Sequence, residues 1–99
     1  MILGELIFEL YYYGGNRMMI SHPNGQVTLN EHDANRLDWF LECFLDKSQV
    51  FQQLILSEVQ LDIDVDGEIV FMFNDNNESM FWLKYDEINE LFRFLKQIL

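Results

Sequence analysis

The sequence predicts an α+β fold in two layers: a mainly antiparallel sheet of five to six strands, with two main helices and one short helix on one face. Three observations predict it. The apolar period is two along Val59, Leu61, Ile63 and Val65, but three to four along Ile88, Leu91, Phe92, Leu95 and Ile98. Turn clusters at Gly14-Gly15-Asn16, His22-Pro23-Asn24-Gly25 and Asp66-Gly67 divide the apolar runs into hairpins. Finally, laying Val27–Leu45 on Phe81–Leu99 without a gap brings Leu29/Leu83, Asn35/Asn89, Leu37/Leu91, Phe40/Phe94, Leu41/Leu95 and Leu45/Leu99 into coincidence. That echo suggests a βββα duplication. At 99 residues the chain is expected to be a single domain over 1–99 with one core.

Ile2 to Tyr13, apolar and aromatic with Glu5 and Glu9 interrupting, reads as one long first strand. Arg17 to Ser21 is the second strand, and Gln26 to Thr28 the third. Thr28 with Glu31 has the spacing of a capping box, which starts a first helix running from Leu29 to about Asp46. On that helix Ala34, Leu37, Phe40, Leu41, Phe44 and Leu45 share the core arc, while Glu31, Asn35, Asp38, Glu42 and Asp46 line the opposite flank. Trp39 falls on the outer side, an unusual place for a tryptophan.

Gln49 to Leu56 reads as a short helix capped by Ser48, with a strand as the alternative. Next comes a hairpin whose three-residue loop Val65-Asp66-Gly67 pairs Ile63 with Ile69 and Leu61 with Phe71. This register keeps one face wholly apolar. Asp75 to Glu78 turns the chain into a last strand, from Met80 to about Tyr85, and the final helix.

Charge is the loudest feature. Seventeen acidic against six basic residues give −11. Such a surface repels phosphate, which excludes direct binding of nucleic acid or an anionic membrane, and it attracts a basic protein. No apolar run is long enough to span a bilayer, and Met1–Glu5 lacks the basic region of a secretory signal. One cysteine, Cys43, cannot make an internal disulfide, so a reducing, cytoplasmic setting is expected.

Motifs for chemistry are sparse. Asp62, Asp64, Asp66, Gly67 and Glu68 resemble the opening of an EF-hand-type calcium loop, but its twelfth position, where a bidentate glutamate belongs, is Phe73. The flanks also alternate as strands. His32 and Cys43 on one helix stand roughly 16 Å apart, too far to share an ion. There is no glycine-rich phosphate loop and no nucleophile elbow. The chain is therefore expected to need no cofactor or metal and not to be an enzyme.

What remains is contact surface. The leading expectation is a small acidic protein-binding inhibitor that occludes the positively charged surface of a nuclease or nucleoprotein. An immunity protein against a nuclease toxin acts in this way, as does a phage-type inhibitor. The chain is similar to those classes in size, acidity and absence of catalytic motifs, and it carries no family signature. The expected contacts are Asp38, Glu42 and Asp46 on the first helix, Asp62, Asp64, Asp66 and Glu68 on the hairpin, and Trp39 as apolar anchor. A homodimer or other homo-oligomeric module is the rival reading. It would use a far sheet face carrying a ring of Tyr11–Tyr13 with Val70, Met72 and Trp82 or Phe81. A calcium-binding domain is the weaker alternative.

Overall fold

A computed structural model describes residues 1–48, 52–74 and 79–99. The elements run β1 (Ile2–Leu3), β2 (Leu6–Leu10), β3 (Asn16–His22), β4 (Gly25–Asn30), α1 (Glu31–Leu45), β5 (Gln53–Ile55), β6 (Val59–Ile63), β7 (Ile69–Phe73), β8 (Met80–Leu83) and α2 (Tyr85–Lys96). They form two antiparallel sheets among the described residues, ordered β1-β2-β3-β4 and β5-β6-β7-β8. The α+β class holds. The expected single sheet of five to six strands does not.

Two local events account for the difference. First, Gly4 at φ +59° breaks the expected long first strand, folding Leu3 onto Leu6 as an extra hairpin. The segment read as a short helix supplies the second extra strand, β5; its residues 49–51 lie outside the described residues, as does the predicted turn at 75–78. Each half is thus ββββα rather than βββα. The edge of β4 is partly occupied. The Glu58 carboxylate accepts the Thr28 N–H at 3.1 Å, a donor near the edge that an adjoining strand would meet.

The sequence echo has a structural counterpart. α1 begins at Glu31 and α2 at Tyr85, the same offset that overlays Val27 on Phe81. Asp33 Oδ2 accepts from Ser57 N at 3.2 Å, touching the turn before β6. Its counterpart Glu87 lies against Gly4, in the turn before β2, and also accepts from Lys84 N at 2.9 Å. The helix start differs from the expected capping box. β4 stays paired through Asn30, so Asn30 becomes the N-cap and accepts from Asp33 N at 2.8 Å.

One core joins the two halves. Phe8, Met18, Ile20 and Leu29 of the first sheet cluster with Leu61, Ile69 and Phe71 of the second, and with Leu37, Phe40 and Leu41 of α1 and Ile88, Leu91 and Leu95 of α2. The Phe8 and Phe71 rings meet edge-on at 6.0 Å across the sheets. Phe44 and Leu45, expected in the α1 core arc, are only half-buried at its C-terminal end. The β6–β7 register is the expected one, Ile63 opposite Ile69 and Leu61 opposite Phe71, with Gly67 left-handed at φ +79°.

Candidate functional site

β5 and α1 define the ground on which the expected contact residues stand. Ile63 N donates to Gln52 O at 2.9 Å, so the N-terminal end of β5 lies at the β6–β7 loop. The other end, at Ser57, lies against Asp33 in the first turn of α1. Arg36, Trp39 and Phe40 then face Gln53, Leu54 and Ile55 across a groove of about 310 Å³. α1 therefore runs antiparallel to β5, carrying Glu42 and Asp46 toward the end of the molecule that holds Asp64, Asp66 and Glu68.

Trp39 is 47% exposed, and Ile55 opposite is 58% exposed. Among the described residues, β5 flanks the tryptophan and leaves it about half-exposed. A half-wet indole in an apolar groove is the arrangement found at interface anchors. No family model, curated protein or solved structure matches this chain.

The acidic residues divide by what already engages them. Asp38 pairs with Lys96 of α2 at 3.1 Å; its side chain is 17% exposed, and its Oδ1 is buried without a hydrogen-bond partner among the described residues. It ties the helices together and is a poor contact for an incoming cation. Asp64 accepts from the N–H groups of Asp66 and Glu68, both at 2.9 Å, and so organises its own loop. Asp62, on the outer face opposite Val70, accepts from Gln60 Nε2 at 3.1 Å.

Asp46 accepts from both the hydroxyl and the N–H of Ser48. Those bonds, the hydroxyl first and the backbone second, hold its carboxyl below the usual carboxylate range. Glu42 and Asp66 are exposed and Glu68 is half-exposed, and among the described residues none of the three carboxylates takes a side-chain hydrogen bond. Among the described residues no group of three or more His, Cys, Asp or Glu is placed to hold a metal ion, and the four acids of the calcium-like motif do not converge. Cys43 is a free, half-buried thiol on α1.

The far-face patch expected to unite the tyrosines with Val70, Met72 and Trp82 does not form. Tyr12 and Tyr13 stand exposed in the loop after β2, where Arg17 lies over the Tyr12 ring at 5.6 Å. Trp82 pairs across the strand with Val70 in the other sheet. Phe81 turns inward, toward Phe73 and His22. The residues that pattern reasoning missed are Gln53 and Ile55. Their sequence signal is weak, because Leu54, Ile55 and Leu56 form an unbroken apolar run that fits a short helix as well as a strand.

Proposed function

We propose that this chain is a small acidic binding protein that occludes the cationic surface of a nucleic-acid-handling partner, in the manner of an immunity protein or a phage-type inhibitor acting in the cytoplasm. The observation that carries the reading is the half-exposed Trp39, set in an apolar groove that opens toward an acidic end. A net charge of −11 would accelerate encounter with a basic surface, while a buried aromatic anchor would slow release. Glu42, Asp66 and Glu68 are the acids best placed to meet the partner. Asp62 lies on the adjoining sheet face, Asp46 sits at the same end as Glu42, and Asp38 and Asp64 support the scaffold that presents them.

The test is affinity capture at low and high salt, followed by stopped-flow kinetics with the captured protein. The reading expects a basic nuclease or nucleoprotein whose association rate falls with salt. Trp39→Ala should raise the dissociation rate about tenfold or more while leaving association nearly unchanged. Capture of nothing basic, or a Trp39→Ala variant with unaltered dissociation, would defeat it.

A specific observation favours one second reading, self-association. Ile55, Met80 and Trp82, each 44% or more exposed, lie on the outer face of the second sheet. Sedimentation across a wide concentration range separates the two, since the inhibitor reading requires no dimer.

A further inference from the structure

We propose that the groove between α1 and β5 receives an extended lysine- or arginine-bearing segment of the partner, which adds to β5 as a further strand beneath Trp39. This inference rests on the acidic-binder reading and specifies how that binder engages its target.

The argument begins with ladder parity. Ile63 N donates to Gln52 O, and Leu56 N donates to Val59 O, both at 2.9 Å. Backbone groups alternate in direction along a strand, so Gln52, Leu54 and Leu56 face β6 while Gln53 and Ile55 face away from it. The N–H and C=O groups of Gln53 and Ile55 are therefore directed at the outer edge of β5, and they make no hydrogen bond among the described residues. They stand at hydrogen-bonding spacing for a new strand.

Sheet edges in soluble proteins are usually blunted by a charge, a proline or a bulge. The β4 edge here follows that rule, with Glu58 on Thr28. The β5 edge does not: Gln53, Leu54 and Ile55 carry neither charge nor proline, and a groove of about 310 Å³ runs beside them. Backbone pairing would supply affinity, and the flanking Trp39 and Ile55 side chains would grip alternate residues of the segment.

Charge selects the occupant. Pairing the β5 edges of two copies would bring together two chains of −11 each, so a second copy is disfavoured. A cationic segment is attracted instead. Asp62 lies directly across from Gln53, and exposed Glu42 follows Trp39 by about one turn of α1. Arg36 is the opposing charge in the groove wall. It directs an uncharged residue of the segment to that point and the basic ones toward Asp62 and Glu42.

The test uses a short peptide alternating lysine with valine, and a charge-matched peptide alternating lysine with proline that forms a ladder poorly. Titrations at low ionic strength are followed by amide exchange of the full chain. The proposal expects the lysine–valine peptide to bind about tenfold or more tightly than its proline counterpart. It also expects exchange at Gln53 and Ile55 to slow by about tenfold on saturation, and Trp39→Ala to weaken the complex. Equal binding of both peptides, with those two amides exchanging as in the free protein, overturns strand addition but leaves the acidic-binder reading standing. Failure of both peptides to bind even at low ionic strength overturns strand addition and the acidic-binder reading together.

Discussion

The two ββββα units should unfold as one, and the Phe8–Phe71 contact gives a quantitative test. Folded monomers of 11.9 kDa expose about 5,950 Å² by the size scaling of globular proteins, whereas two independent units of half that mass would expose about 7,200 Å². The chain exposes 5776 Å². About 1,400 Å² is thus hidden between the units, comparable to the area buried in a specific protein complex. Losing one unit would strand that surface on the other.

Phe8→Leu and Phe71→Leu should each cost about 1–2 kcal/mol, because both rings are fully buried. The double variant should cost less than the two singles together by about 0.5–1.5 kcal/mol, the worth of an edge-on aromatic pair. Urea unfolding reads the energies. Trp39 and Trp82, one in each half, report the halves separately in Trp82→Phe and Trp39→Phe backgrounds. The expected result is one midpoint for both reporters and for far-UV circular dichroism. Separate midpoints, or coupling smaller than about 0.3 kcal/mol, would refute a shared core.

Three further outcomes are expected. Asp33→Ala strands the N–H of Ser57 and should lower stability by about 1–3 kcal/mol in urea melts, with Asp33→Asn recovering part because its amide oxygen still accepts. Gly67→Ala forces a left-handed residue with a side chain and should cost about 1–2 kcal/mol, with Gly67→Asn costing less, by the same assay. Asp46 should titrate below an ordinary aspartate in NMR-detected titration, and Ser48→Ala should return it toward the usual value. Its folded pKa is depressed, so its contribution to stability is present above the unfolded value and is lost as pH falls through the folded one. Full exposure keeps that contribution small.

Local pattern and charge sufficed for several features. The left-handed glycine and apolar alternation around Asp66-Gly67 set the β6–β7 register, since a one-residue slip would turn Leu61 and Phe71 to solvent. The spacing of Leu37, Phe40 and Leu41, and of Ile88, Leu91 and Leu95, selected the buried helix faces. It also placed Trp39 outside the core, and composition alone set the acidity. Other features depended on partners distant in the chain. Whether Gln53–Ile55 becomes helix or strand depends on β6 being there to pair with it, a contact that three residues cannot announce. Asp38 reads as a flank acid until Lys96, at the far end of the chain, closes on it. Thr28 likewise reads as an ordinary edge residue until Glu58, thirty residues on, accepts its N–H. Periodicity reports which side of an element seeks burial, whereas which edges stay open, and which acids remain available, is decided by where the other half of the chain comes to rest.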